Sequence, residues 1–248
     1  MSEQQTEQSS DVKTGVTPND SKNSSDFSIK YQYELLPEDY TNFDISFKLI
    51  VIGDSGVGKS SLTNNAVKNV FEESYNATVG FEFFTFNVRM CGKVVKLQIW
   101  DTCGQELYRS LITNFYRNSS LAVIVYAINS KESFENIEMW LRELRTHSSP
   151  DIKIYLIGNK ADLEKEREVP KESAEEYCKV NKIPIFMEAS AKTGLNAQNI
   201  FLKAAEMLYD DYNLYQSNKK DEDDFESAKD ENKKLENADD GKKKKGCC

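Results

Sequence analysis

Three stretches of this chain are apolar almost without interruption: Phe47-Lys48-Leu49-Ile50-Val51-Ile52, Leu121-Ala122-Val123-Ile124-Val125-Tyr126 and Ile152-Lys153-Ile154-Tyr155-Leu156-Ile157. A strand with one face in water alternates; a strand that reads apolar throughout is covered on both faces. Such strands need a sheet with helices above and below it. Apolar residues at helical spacing lie between the runs: Phe134, Ile137, Leu141 and Leu144 within Ser133–Thr146, then Ile200, Phe201, Ala204, Ala205 and Leu208. Phe84, Phe86, Val88 and Met90 alternate with Thr85, Asn87 and Arg89, a half-buried pattern. Cys91-Gly92-Lys93 turns the chain into Val94–Trp100, which makes a hairpin, and Ile183–Glu188 is a last short strand. The prediction is an α/β fold of the doubly wound type. It has six strands, mostly parallel with one antiparallel hairpin strand, and helices on both faces.

Every polar motif of note follows one of these strands, where ligands of open α/β sheets bind. Gly53-Asp54-Ser55-Gly56-Val57-Gly58-Lys59-Ser60 follows the first run, fits G-x-x-x-x-G-K-[ST], and leads through Ser61 into a helix-forming stretch. Glycines let successive backbone N–H groups aim at a phosphate chain, and the helix N-terminus adds its positive end. Lys59 supplies a point charge and the Ser60 hydroxyl one ligand for Mg²⁺. Asn159-Lys160-Ala161-Asp162 follows the third run. Asp162 can accept the N1–H and exocyclic amine of guanine, a donor pair that adenine lacks; Lys160 lies along the base, and Asn159 ties this loop to the phosphate loop. Ser190-Ala191-Lys192, after the last strand, can offer a backbone N–H to the guanine O6. Asp101 follows Trp100 and can hold Mg²⁺ through water. Beyond it, Gly104 can give its N–H to a γ-phosphate, and Gln105 can orient an attacking water. Thr78 can add a second hydroxyl to Mg²⁺ once the γ-phosphate is present. Loops ordered by a triphosphate and released on hydrolysis make a switch.

These motifs, in this order, resemble the Ras superfamily of small GTPases over residues 45–212. Val79–Phe83, Lys96–Asp101 and the two terminal cysteines resemble its Rab family. The resemblance implies a nucleotide site of Gly53, Asp54, Ser55, Gly56, Val57, Gly58, Lys59, Ser60 and Ser61, with Phe71 packing on the guanine edge and Tyr75 closing over the phosphates. It implies GTP and GDP with Mg²⁺ as ligands, slow hydrolysis without an activating protein, and vesicle traffic as the setting. An exchange factor, an activating protein, a dissociation inhibitor or escort protein, and effectors reading Phe83, Trp100, Phe115 and the switch loops are the partners implied. Cys103 stands where the family usually has Ala, Phe115 where Tyr is commoner, and Asn118-Ser119 where Gly-Ala is usual. Cys103 leaves open an alternative, a constitutively GTP-bound scaffold with negligible hydrolysis. A phosphate-loop kinase or ATPase is the further rival.

The remainder is polar. Residues 1–44 read as a disordered arm and 213–248 as a disordered tail, because neither offers enough apolar surface to offset ordering entropy. With 32 basic and 41 acidic residues among 248, the net charge of −9 argues against nucleic acid as a partner. The five cysteines show no metal spacing, no secretory leader is visible in residues 1–30, and the longest apolar run, Leu121–Ile128, is too short to span a bilayer. Membrane contact is expected instead through the end, Lys242-Lys243-Lys244-Lys245-Gly246-Cys247-Cys248. Lys245 stands fourth from the end, so this is not a C-a-a-X box. By the resemblance, Cys247 and Cys248 carry geranylgeranyl groups, placing the protein on the cytoplasmic face of intracellular membranes in exchange with cytosol.

Overall fold

The computed structural model describes residues 29–73, 80–104 and 115–240. The three apolar runs become the centre of one sheet: β2 (Ile45–Ile52), β5 (Leu121–Ala127) and β6 (Lys153–Asn159), with every residue of β5 buried. β3 (Phe81–Met90) and β4 (Lys93–Thr102) form the hairpin. Its two turn residues, Cys91 and Gly92, both have positive φ, 50° and 74°. That is the handedness which lets two strands continue their twist through a two-residue connection. β7 (Ile185–Glu188) closes the far side.

A seventh strand corrects the expected count of six. β1 (Tyr33–Leu36) lies inside the stretch read as a disordered arm and pairs antiparallel with β3, Tyr33 opposite Met90 and Leu36 opposite Asn87. Four residues without alternation give no local signal; the strand exists because β3 offers it an unpaired edge. The sheet order is β1-β3-β4-β2-β5-β6-β7. The pairs β1/β3 and β3/β4 are antiparallel, and β4/β2, β2/β5, β5/β6 and β6/β7 are parallel.

Alternate residues of the central strands serve the two faces. Ile50, Ile52, Ile124, Tyr126 and Leu156 cluster with Trp140, Leu141 and Leu144 of α3 (Ile137–His147) and Ala174 and Cys178 of α4 (Lys171–Asn181). Residues of opposite parity, such as Leu49, Val51, Val123 and Ile157, are equally buried, as are Leu62 and Ala66 of α1 (Lys59–Lys68). Phe201 of α5 (Ala197–Asp240) meets Phe86 of β3 with ring centroids 5.8 Å apart.

The surface helix expected over Ser133–Thr146 is two. α2 (Lys131–Glu135), capped by the Ser130 side chain accepting from the Ser133 N–H, stops at Asn136 before α3 begins. Asn136 and Trp140 both reach back to the phosphate-loop residue Asp54, described below. α5 is helical through Asp240, into the stretch read as a disordered tail, whose many Lys, Glu and Ala residues are strong helix formers. The chain divides into two compact units, one ending at Glu206 and the other beginning at Met207. Among the described residues no helix is long and apolar enough to cross a membrane.

The parallel register aligns strand ends. Val51 stands opposite Asp101 and Val123, Ala127 opposite Asn159, and Gly158 opposite Glu188. The loops leaving β2, β4, β6 and β7 therefore emerge along one rim of the sheet.

Candidate functional site

A cleft of about 770 Å³ opens at that rim. Its walls include Ser55, Gly56, Gly58, Lys59, Ser60 and Ser61 from the glycine-rich loop and α1, Asn159, Lys160 and Asp162 after β6, and Ala191 and Lys192 after β7. Phe71 and Gly104 also line it. Residues the sequence placed in four separate loops thus share one cavity. Tyr75, Thr78, Gln105, Cys247 and Cys248 lie outside the described residues.

The phosphate loop is held from behind. Lys59 is almost fully buried and donates Nζ–H to the carbonyls of Gly53 (2.9 Å) and Asp54 (2.7 Å). Burial lowers its pKa, opposed by the charges of Asp101 and Asp54. A buried ammonium resting on two neutral carbonyls gains most from an anion. The Asp54 side chain points elsewhere: Trp140 Nε1–H donates to Oδ1 and Asn136 Nδ2–H to Oδ2, each at 2.7 Å. Asp54 enters the sequence analysis only as a phosphate-loop residue, and nothing in the spacing marks Asn136 or Trp140 as its partners. Gly104 lies so close to this loop that a Cβ on it would stand 2.3 Å from Asp54 C and Ser55 N. The Cys103 N–H donates to the Gly80 carbonyl at 3.0 Å, and its side chain is buried. One hydrogen bond therefore joins the end of the loop after α1 to the start of the loop after β4.

Asn159 is the junction of the base side. Its Nδ2–H donates to the Val57 carbonyl at 2.9 Å, and its Oδ1 accepts the Ala191 N–H at 3.1 Å. Gly58, at φ 91°, has no room for a side chain there, since its Cβ would meet Asn159 Nδ2 at 2.5 Å. Ser190 Oγ–H donates to Asp162 Oδ1 at 2.6 Å, and the Ala161 N–H to the Ala189 carbonyl at 3.0 Å. Two further ties carried no sequence signal. Asn65 of α1 donates to the Ala191 carbonyl at 3.0 Å, and Arg167 clasps Glu188 (2.7 Å) and Glu164 (2.6 Å) across the two base loops.

For a divalent cation the fit rests on Asp101. It is buried; Ser60 Oγ–H donates to Oδ2, while Oδ1 has no hydrogen-bond partner among the described residues. Burial raises its pKa to about 7, against the lowering effects of Ser60 and Lys59. An orphaned carboxylate oxygen beside a hydroxyl suits hard, oxygen-seeking Mg²⁺.

Phe83, Trp100 and Phe115 gather beside β3 and β4, with Trp100 centroids 5.1 Å from Phe83 and 5.0 Å from Phe115. Phe81, not singled out in the sequence, joins them, 5.3 Å from Trp100 and 4.7 Å from Phe115. Phe81 and Phe83 are about half exposed, at 49% and 47%. His147 is exposed at the end of α3, its ring stacked on Tyr116.

The Ras family model matches residues 48–210. Over 207 residues the chain is 38% identical to the Ras-related protein RABA1b of Arabidopsis thaliana, covering 84% of this chain and 95% of that protein. Over 168 residues it is 44% identical to the Ras-related protein Rab11B of Nicotiana tabacum, covering 68% and 77%. Over 166 residues it is 43% identical to the Ras-related protein Rab-4B of Homo sapiens, covering 67% and 78%.

The state of Asp101 gives a pH prediction. Its folded pKa, about 7, lies above the ordinary 3.8, so its proton stabilises the folded chain. That stabilisation is complete below the ordinary value and is lost as pH rises toward 7. In protein stripped of magnesium, the unfolding midpoint of the parent should fall relative to Asp101→Asn between about pH 4 and pH 7. Added Mg²⁺ should recover the difference at the upper end. Parallel profiles for the two proteins, followed by thermal melts, would remove Asp101 from this role.

Proposed function

The chain belongs to the Ras family, as a Rab-type small GTPase that binds guanine nucleotide and hydrolyses GTP, and on that premise we propose that it is a membrane-anchored switch in intracellular vesicle traffic. The observation that carries the reading is that Asp162, Asn159 and Lys59 line one cleft, with Asn159 tied to the phosphate loop at Val57 and Asp162 held by Ser190.

In this reading the guanine enters between Lys160 and Phe71. Ser190 fixes Asp162 through Oδ1, leaving the carboxylate oriented to accept the N1–H and exocyclic amine of the base. The phosphates occupy the cradle of the glycine-rich loop, where Lys59 exchanges its carbonyl partners for phosphate oxygens and the N-terminus of α1 contributes its dipole. Mg²⁺ would be held by Ser60, Asp101 and, in the triphosphate state, Thr78, and would offset charge on the phosphates. Gly104 offers its N–H to the γ-phosphate, and Gln105 orients the water that attacks it. No arginine finger is assigned in this chain, so unaided turnover is slow. An activating protein that inserts one speeds hydrolysis by roughly 10⁵-fold.

Loss of the γ-phosphate releases both the Thr78 and the Gly104 contacts. Effectors therefore bind the triphosphate form, reading the aromatic cluster of Phe83, Trp100 and Phe115 with the adjoining loops. An exchange factor reopens the site, and a dissociation inhibitor or escort protein handles the lipidated end. Cys247 and Cys248 carry geranylgeranyl groups; two chains give stable attachment where one gives only marginal binding. Lys242–Lys245 add about 1 kcal/mol each near anionic lipid.

Three outcomes test this reading. Asp162→Asn should shift preference from guanine to xanthine nucleotides in competition binding, because the xanthine C2 carbonyl suits an amide donor; unchanged selectivity would remove Asp162 from base recognition. Gln105→Leu should cut single-turnover GTP hydrolysis at least ten-fold while GDP affinity holds. Equal rates would take Gln105 out of the chemistry. Replacing Cys247 and Cys248 by Ser should move the protein from membrane pellet to cytosol, and persistent pelleting would defeat the lipid anchor.

A further inference from the structure

Residues 29–44 lie ahead of the family match at 48–210, yet they are fastened at four places, two on β3, one on Glu206 of α5 and one at the start of β4. The backbone N–H of Lys30 donates to the buried carboxylate of Glu206, which also binds Lys203. β1 pairs with Asn87–Met90, and Glu34 bonds Arg89 at 2.5 Å. Past β1 the chain turns at Pro37, with the Tyr40 N–H donating to the Pro37 carbonyl at 3.1 Å. Asn87 Nδ2–H donates to the carbonyls of Pro37 (2.7 Å) and Glu38 (3.2 Å), and Thr85 Oγ–H to that of Glu38. At the lower end, Asp44 accepts from the Val94 N–H at 2.8 Å and from Lys93 at 3.1 Å.

The two sides of this contact are unlike. On the receiving side Thr85 and Asn87 are buried, although the alternation of β3 would put them in water; the segment is what covers them. β3 itself is held independently by a ten-residue register with β4. On the entering side no residue from Ile29 to Asp44 is buried, and none belongs to the core. The segment contributes backbone hydrogen bonds and two ion pairs, Glu34–Arg89 and Asp44–Lys93, while inserting no apolar anchor. That is how an extended peptide binds a sheet edge, with main-chain bonds supplying affinity and alternate side-chain sites supplying choice. Pro37, without an N–H, ends the ladder short of Phe81–Phe84, so the aromatic cluster stays clear of it.

We propose that the outer edge and face of β3 (Thr85, Asn87 and Arg89) form a strand-addition site, and that residues 29–44 of the same chain are its resident, displaceable occupant. The site selects an extended segment with an acidic residue opposite Arg89, and turn carbonyls three and four residues later for Asn87 and Thr85. While occupied it is closed to the corresponding segment of a second copy. Nothing in this depends on the nucleotide reading.

Native-state hydrogen exchange on the unmodified chain is the first test. Amides of 33–36 and 87–90 that form the β1–β3 ladder should open together, at least a hundred-fold faster than those of Leu49–Ile52. Equal protection in the two groups overturns the proposal. The second test uses the full chain carrying Glu34→Pro and Leu35→Pro. Successive residues point their N–H alternately toward and away from a partner strand, so one of the two removes an inward donor. A labelled synthetic peptide of residues 29–44 should then bind saturably to this variant and not to the parent, with GDP release unchanged within two-fold. Asn87→Ala in the same background should weaken the peptide about ten-fold, as expected for two lost hydrogen bonds. No peptide binding to a variant that still holds GDP overturns the proposal, and so does faster GDP release on opening, which would make the segment part of the nucleotide-binding fold. Self-association of the opened variant, blocked by the peptide, supports it.

Discussion

One buried amide, that of Asn159, fixes the geometry on which everything at the rim depends. It donates into the phosphate loop and accepts from the turn after β7, at 1% exposure. The three loops it touches leave different strands and would otherwise be independent. A buried amide left without partners costs about 1–3 kcal/mol, so the loops cannot drift apart without exposing or orphaning it. Gly58 is required where it is because this side chain fills the space a Cβ would take. The fold's contribution is to deliver the ends of β2, β6 and β7 in register; the side chain then converts three nearby loops into one surface.

The charges in the cleft are arranged at some expense to the folded chain. Lys59 and Asp101 are both taken out of water, and each has its pKa moved toward the neutral form by burial. Their mutual attraction only partly offsets this. An anion beside the ammonium and a cation beside the carboxylate would each relieve a penalty already incurred in folding. In the proposed reading, affinity for a phosphate chain and its metal would draw on this imbalance already present in the fold.

Legibility in the sequence followed range. The loops after β2, β4, β6 and β7 were readable because each is a short run placed directly after an apolar strand, and each needs particular side chains at fixed spacing. Central strands were readable because burial on both faces forces continuous apolar character. β1 was not readable: Tyr33-Glu34-Leu35-Leu36 has no pattern of its own and owes its conformation to the free edge of β3. The burial of Asn87 was hidden for the same reason, since on alternation it belongs in water. Likewise Asp54 looked like one more loop residue, and only the packing of α3 shows its carboxylate held by Trp140 and Asn136. The break at Asn136 escaped because helical spacing continues across it; the residue at the break is bonded to Asp54, which only the fold reveals.

The placement of the two tryptophans has an optical consequence. Trp140 is 1% exposed and bonded through Nε1 to the carboxylate of the phosphate loop, whereas Trp100 sits partly open within the ring cluster beside β3. An indole whose N–H is held by a carboxylate in a dry environment emits differently from one in contact with solvent. The chain therefore carries two tryptophans in separate surroundings, one beside the phosphate loop and one in the half-exposed ring cluster beside β3. Ultraviolet emission can follow both places at once without any added dye.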